Sequence, residues 1–440
     1  MTGAQLADRL VGHGLDSADA AGKSGLFDTA LTAFNAMTDR PLQEAWWVPG
    51  RLEVFGKHTD YAGGRTLVAA IPRGFAFVAA PRADAEIHVL DGTLGERVVI
   101  GHPRSGLAGW PRYVQTTVNR LDRNFRGGRR GVSVAFASDL PRAAGLSSSS
   151  ALMVGIAAVL TAEWNLAGRE EWKRSIRGDT GTAMYYSCIE NGQDFHALAG
   201  DAGVGTRGGS EDHAAILLGS PACLSAFAFC PMRRLDEVPV AGAWRFVIAT
   251  SGVTAEKTGG AQHPYNRLSD GVRLLLALWN THNEPAPSLG AALAPGPPAI
   301  SRLHGLITRS GFPDWTCDTL RRRLDHFVAE NDIVLAALGG FRSADAEELG
   351  ALATASQRGA EDLLGNQIPQ TAALVEAARL AGAFAACSFG AGFGGSVWAL
   401  VDRDLAAFAS EWLARYRTRY PGLEALVFGA QPGPPLTRLV

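Results

Sequence analysis

The chain has 440 residues, enough for two ordinary domains or for one large domain with extensions. Apolar residues make up 47%, which excludes intrinsic disorder, and 41 Lys+Arg against 43 Asp+Glu exclude the basic excess of a nucleic-acid binder. Glycine stands at 52 residues where an average chain of this length holds about 31, so glycine-rich loops are expected.

Residues 1–45 predict helix. The opening MTGAQLADRLVGHGLDSADAAGK spreads its charges through an amphipathic pattern and lacks the apolar core of a signal peptide. From about 46 to 138 the pattern is that of strands: 74–82, 86–91 and 96–101 alternate and are rich in β-branched or aromatic residues. GVSVAFASDLP (131–141) is a further strand ending in a turn. Helices are predicted at about 147–165 and 181–199, then two short strands, HAAILLG and LSAFAFCP, within 213–231. A different texture begins with a strand at 245–252. Helices follow at about 265–285, 318–338, 344–365 and 368–382, and strands at 396–401 and 423–429 with a helix between them. SLGAALAPGPPAIS (288–301) predicts a surface loop. The simplest architecture is α+β, with two domains, 1–240 and 241–440.

No run approaches ~18 uninterrupted apolar residues, so no membrane span is expected. The five cysteines (Cys188, Cys223, Cys230, Cys317 and Cys387) form no CxxC pair, which predicts reduced thiols in a cytoplasmic protein.

Three glycine- or serine-rich stretches carry the chemistry. In GRLEVFGKHTDYAGG (50–64) a strand runs into a polar cluster, Lys57 to Tyr61, closed by two glycines. Polar groups fixed at a strand end suit a polyol, although a solvated β-turn has the same pattern. In DLPRAAGLSSSSALMVG (139–155) a strand, a small-residue loop and a helix start follow one another. Unpaired backbone N–H groups and the helix dipole favour an anion there, and Ser147, Ser148, Ser149 and Ser150 add hydroxyls for a triphosphate or Mg²⁺. Plain N-capping by serine is the simpler alternative. In CSFGAGFGGSVWALV (387–401), Gly390, Gly392 and Gly395 match GxGxxG, but a strand follows them where a dinucleotide fingerprint needs a helix. A turn that lets another segment approach closely fits better.

These blocks, in this order, resemble the GHMP kinase superfamily, and galactokinases in particular. Residues 50–64 are similar to GRxNxxGEHxDYxxG, 141–151 to PxGxGLSSSAS, and 388–395 to TGAGFGG. WPRYVQ (110–115) resembles the WxNYV segment where the adenine pocket begins, and 251–268 resembles a stretch carrying a Tyr and an Arg. The resemblance implies a ribosomal-protein-S5-like N-terminal domain and a ferredoxin-like C-terminal domain, with ATP and sugar meeting in the cleft between them.

It also implies roles. Asp212 takes the place of the aspartate in GxMDQ, with Glu211 as a rival carboxylate. Arg51 matches the arginine near that aspartate. A carboxylate can accept the proton of an attacking sugar hydroxyl, and a guanidinium beside it lowers its pKa. The resemblance places Lys57, His58, Asp60, Gly209 and Tyr265 at the sugar. Trp110, Gly145, Ser147–Ser150, Gly390 and Gly392 fall at ATP, and Ser149 and Glu190 at Mg²⁺. The partners implied are a small sugar and ATP, with no nucleic acid and no membrane.

Three departures matter. Lys57 stands where galactokinases have glutamate; it either meets a uronic-acid carboxylate or pairs with Glu53, which itself replaces asparagine. Ala143 replaces a glycine in the phosphate loop and is strained if that position needs a positive φ. His213 replaces the glutamine of MDQ and has no assigned role. The expectation is an ATP-dependent kinase acting on the anomeric hydroxyl of galactose or a similar sugar. The alternatives are a galacturonate-type kinase, another kinase of the superfamily, and a catalytically silent sugar- and ATP-binding regulator.

Overall fold

The computed structural model describes residues 1–101, 106–254, 260 and 262–440. Part of the 251–268 segment therefore lies outside the described residues. Among the described residues, twelve strands form two sheets. The first contains β1 (Glu44–Phe55), β2 (Arg65–Pro81), β3 (Ile87–Asp91), β4 (Glu96–Ile100), β5 (Val132–Ser138), β6 (Cys223–Ala228) and β7 (Arg233–Pro239). The second contains β8 (Arg245–Thr250), β9 (Ala385–Phe389), β10 (Ser396–Val401) and β11 (Val427–Gly429), while β12 (Thr437–Arg438) returns to the first. The first sheet is ordered β12-β1-β2-β5-β3-β4, with β6 on the start of β2 and β7 on β6; the second is β11-β8-β10-β9. All pairings are antiparallel except β3 with β5.

Period-two alternation decides which layer each side chain joins. In β2, Phe75, Phe77 and Ala79 enter the central core, while Ala76, Val78 and Ala80 meet the helices Gly3–Gly12 and Ser17–Met37 through Leu6, Leu10, Phe27 and Phe34. In β10, Trp398 and Leu400 join the same central core, and Val397, Ala399 and Val401 pack under the helices Pro369–Leu380 and Leu405–Arg419. The central core thus joins inner faces of both sheets with the helices packed on them, and Trp398 Nε1 reaches from the second sheet to the Val54 carbonyl of the first at 3.1 Å. The helix Ser148–Glu163 is apolar on every face, as a helix enclosed on all sides should be, and Ser150–Leu160 are buried without exception. Helices Gln262–His282, Pro297–Arg309 and the first half of Cys317–Ser343 form a further layer beside Ala62.

Several boundaries correct the sequence reading. HAAILLG is not a strand but most of a helix, Glu211–Leu218. A short apolar run fits either form; the acidic pair Glu211 and Asp212 in the first turn and Gly219 at the stop mark the helix. The helix expected over 181–199 spans Gly178–Asn191, stopped by Gly192 at φ 72°. The stretch 288–301 is not a loop: it holds the helix Leu289–Ala292 and opens Pro297–Arg309, where proline occupies the tolerated first turn. The helix expected at 318–338 runs on to Ser343.

Candidate active site

Strand β1 delivers the central cation. Its register against β2 shifts between Pro49 and Arg51. A Cβ on Gly50 would lie 2.6 Å from Leu140, so only glycine lets this bend lie against the following loop. There Arg51 N–H bonds the Leu146 carbonyl at 3.1 Å, and the Arg51 guanidinium reaches the Gly145 carbonyl at 2.9 Å. Its other nitrogens meet two carboxylates. Nε lies 2.8 Å from Asp212 Oδ1 and 3.1 Å from Glu211 Oε1, and Nη2 lies 2.5 Å from Asp212 Oδ1. Burial opposes the charge of Arg51, but Asp212, Glu211 and Glu53 more than offset it and hold its pKa above the ordinary value. Burial pushes the Glu211 carboxyl well up, helped by the negative charge of Glu53, and Glu53 is raised for the same first reason. Asp212 Oδ2 also accepts from Ser150 Oγ at 3.2 Å.

Two cavities flank this group. The larger, about 440 Å³, has an apolar end of Phe75, Trp110, Tyr113 and Phe136 and a polar end at Gly145, Ser147, Ser148 and Ser149. Trp110 opens the helix Trp110–Asn124, meets Phe136 edge-on with ring centres 5.4 Å apart, and donates to Glu96 at 2.7 Å. The loop at the polar end is left-handed at Ala143 (φ 47°), Gly145 (φ 76°) and Ser147 (φ 59°). Ala143 therefore carries the strain that glycine would avoid. Ser147 stands at the N-cap of Ser148–Glu163 but makes no side-chain cap, and its buried Oγ is unpartnered. The first N–H groups of that helix and this hydroxyl form a cradle for anionic oxygens. Arg142, unforeseen in the sequence, stands at the same cavity, held by Asp91 at 3.0 Å.

The glycine stretch forms the back of this loop. A Cβ on Gly390 would lie 3.0 Å from the Gly145 carbonyl, and Ser396 Oγ bonds the Ala144 carbonyl at 2.6 Å. Gly392 borders the larger cavity, and any side chain there would collide with Asn366.

The narrower cavity is lined by Arg51, His58, Asp60, Gly209, Asp212 and Tyr265, among others including Glu53, Glu190, Asn191, Glu211 and His213. The polar motif is the β1–β2 connection, with Gly56 (φ 105°), His58 (φ 57°) and Gly63 (φ 79°) making its turns. Asp60 accepts from the Tyr61 and Glu211 backbone N–H groups at 2.8 and 3.0 Å. A Cβ on Gly209 would collide with the Asp60 carboxylate, so Gly209 is glycine by necessity. Asn191 clamps the same loop, accepting from Gly208 N–H at 2.8 Å and donating to the Gly209 carbonyl at 3.1 Å.

Four site expectations change. Lys57 does not face either cavity: it is 0% exposed, with Nζ 2.6 Å from Ser356 Oγ, 3.2 Å from Cys387 Sγ and 3.7 Å from Glu330. Its ion-pair partner is Glu330, from the helix Cys317–Ser343, and not Glu53. Burial opposes its charge, but Cys387, Glu330 and Glu53 hold its pKa above the ordinary value. Ser150 turns from the larger cavity to bind Asp212. Gly390 borders the narrower cavity and backs the phosphate loop. Glu190 lies in the narrower cavity with Oε2 3.4 Å from His213 Nε2, whereas Ser149 borders the larger one. Among the described residues no cluster of three His, Cys, Asp or Glu could hold a metal alone. Sequence reasoning missed Glu330, Ser356 and Arg323, which lie far along the chain and carry no local signal.

The three stretches match known families. The model of the galactokinase galactose-binding signature matches residues 32–81, that of the GHMP kinase N-terminal domain 112–220, and that of the GHMP kinase C-terminal region 337–418. Together they span more than half of the chain. A galactokinase of Lactobacillus helveticus is 24% identical over 391 residues, covering 86% of this chain and 90% of its own. A galactokinase of Chloroflexus aurantiacus is 28% identical over 407 residues, covering 89% and 92%. The crystal structure of Lactococcus lactis galactokinase complexed with galactose superposes with a TM-score of 0.77 at 24% identity, covering 94% of this chain and 99% of that one. The mevalonate kinase of Methanococcus jannaschii shares the fold more loosely, with a TM-score of 0.55 at 14% identity, covering 90% and 99%. No described helix is long and apolar enough to cross a membrane.

Proposed function

The chain belongs to the GHMP kinase superfamily, and on that footing we propose that it transfers the γ-phosphate of ATP to the anomeric hydroxyl of galactose. One observation carries the reading. The Arg51 guanidinium binds the Asp212 carboxylate of the narrower cavity and the Gly145 carbonyl of the phosphate loop at once. It thus holds a base for the sugar against the cradle for the phosphates.

The mechanism follows from these groups. ATP lies with its adenine among Trp110, Tyr113 and Phe136 and its phosphates on the loop and the helix start at Ser147–Ser149. The sugar occupies the narrower cavity, where Asp60 and Asn191 fix the loop that carries Gly209. Asp212, paired with Arg51 and placed in the first turn of its helix, accepts the proton of the anomeric hydroxyl. The hydroxyl oxygen attacks the γ-phosphorus and ADP leaves. Arg51, fixed to the loop, stabilises charge on the transferred group. Mg²⁺ neutralises charge on the polyphosphate when it is bound. Ser149, a hydroxyl bordering the larger cavity, fits the oxygen preference of a Mg²⁺ ion that keeps most of its waters.

The uronic-acid reading loses its anchor, because the lysine that would bind a carboxylate is sealed behind the site with its own carboxylate partner. The test is ADP release from Mg²⁺-ATP with galactose, glucose and galacturonate, with Asp212→Asn as control. Activity on galactose that disappears in the control is expected. Activity confined to galacturonate overturns the substrate. Silence with galactose binding retained in calorimetry overturns the enzyme in favour of a regulator.

A further inference from the structure

Arg323 lies on the helix Cys317–Ser343, buried and far from both cavities in sequence, yet it touches the polar motif at two points. Its Nη2 donates to the His58 carbonyl at 2.7 Å and to the Tyr61 hydroxyl at 3.1 Å. Its Nε reaches the Leu268 carbonyl at 3.3 Å, one turn beyond Tyr265 on the helix Gln262–His282. Tyr61 Oη lies 2.8 Å from His58 Nδ1, and His58 Nε2 lies 3.1 Å from the Ala391 carbonyl.

With a neutral His58 ring, donor and acceptor rules fix the direction of this line. Arginine only donates, so the Tyr61 oxygen accepts from it and keeps its own proton for His58 Nδ1. A carbonyl only accepts, so His58 Nε2 carries the ring proton. Burial pushes the Tyr61 phenol up to about 12, so that proton stays in place at neutral pH. The line ends on Ala391, which among the described residues is the one that borders both cavities. Asn366 Nδ2 shares the Ala391 carbonyl at 3.3 Å, and the Phe393 N–H returns to the Asn366 carbonyl at 2.7 Å, so the line joins the turn behind the phosphate loop.

We propose that Arg323 is a positioning residue whose hydrogen-bond line through Tyr61 and His58 to the Ala391 carbonyl couples occupancy of the sugar cavity to occupancy of the nucleotide cavity. The roles of sugar and nucleotide rest on the function proposed above; the coupling between the cavities does not. Filling one cavity moves the Ala391 carbonyl or the His58 ring, and the line carries that change to the other. Coupling of this kind is a reciprocal binding free energy, so each ligand tightens the other by the same factor.

The experiment uses the whole protein with ring-¹⁵N-labelled histidine, the His58 signals being identified with His58→Gln. The expected spectrum shows the Nε2–H tautomer of His58, shifted by a non-hydrolysable ATP analogue alone. In Tyr61→Phe, which keeps the ring and the packing, the fixed tautomer and the response to nucleotide are both lost. Calorimetry then measures galactose binding with and without the analogue. Tightening by about tenfold, the scale of one well-placed hydrogen bond, is expected in the parent protein. In Tyr61→Phe and Arg323→Lys that factor falls toward one. A structural role alone would weaken galactose binding equally with and without nucleotide, and that result overturns the proposal. So does a His58 signal that ignores the analogue in the parent protein. If galactose binds no form, the substrate assignment fails while the His58 spectra still decide the coupling.

Discussion

Two buried cations stand six positions apart on one strand and its turn, and their surroundings differ in kind. Lys57 is matched one to one by Glu330, enclosed by Ser356 and Cys387, and shut off from both cavities. Arg51 faces three carboxylates, Asp212, Glu211 and Glu53, and borders a cavity. A balanced, sealed pair can only hold segments together, here the β1–β2 connection to two C-terminal helices and β9. A cluster with more carboxylates than cations, open to a cavity, can hold or take up a proton. Charge imbalance together with access separates the cluster proposed to react from the sealed pair; burial alone does not, since both are buried.

The largest effect should come from removing the carboxylate proposed as the base. Asp212→Asn keeps the shape and loses the base, so kcat falls by about 10²–10⁴ in the ADP-release assay, with the urea midpoint little changed. The sealed pair should behave in the opposite way. Lys57→Met leaves Glu330 buried without its cation and costs about 3–5 kcal/mol in urea denaturation. Adding Glu330→Gln recovers much of that stability, and the galactose KM of the folded protein stays near the parent value. A KM raised by Lys57→Met but not by the double variant would break the comparison.

A subtler effect concerns Glu211. Its raised folded pKa means the native state holds a proton that the unfolded chain releases. That contribution to stability is complete below the ordinary value of 4.5 and is lost as pH rises through the raised one. Glu211→Gln, which removes this dependence, should therefore gain on the parent protein in thermal melts as pH rises, and the difference should shrink on acidification. The smallest effect belongs to the phosphate loop. Ala143→Gly relieves a left-handed alanine and should raise the unfolding free energy measured in urea by about 1 kcal/mol or less, after the entropy glycine costs.

Much of this was legible in the sequence because the signals are local. Alternation in 74–82 gave β2 its two faces, and the serine run marked the start of the helix Ser148–Glu163. The rest depends on partners that no local pattern announces. Lys57 left a substrate carboxylate and Glu53 open as partners, and Glu330, 273 positions away, is neither: it pairs with the ammonium and accepts the backbone N–H at 3.2 Å. Arg323 reaches His58 across 265 positions. HAAILLG failed for another reason: the six small and apolar residues after His213 fit a strand or a helix equally well, and as a helix they pack against Val68 and Phe227.

The strand β12 has a consequence for biosynthesis. It pairs with β1 at Trp46 and Trp47, Leu439 fills the core under the first two helices, and Arg438 binds Glu44. A ribosome delivers β1 almost four hundred residues before this partner. The sheet that carries Arg51 therefore waits for almost four hundred further residues of synthesis before β12 can pair with β1, and it closes only after the second sheet has emerged.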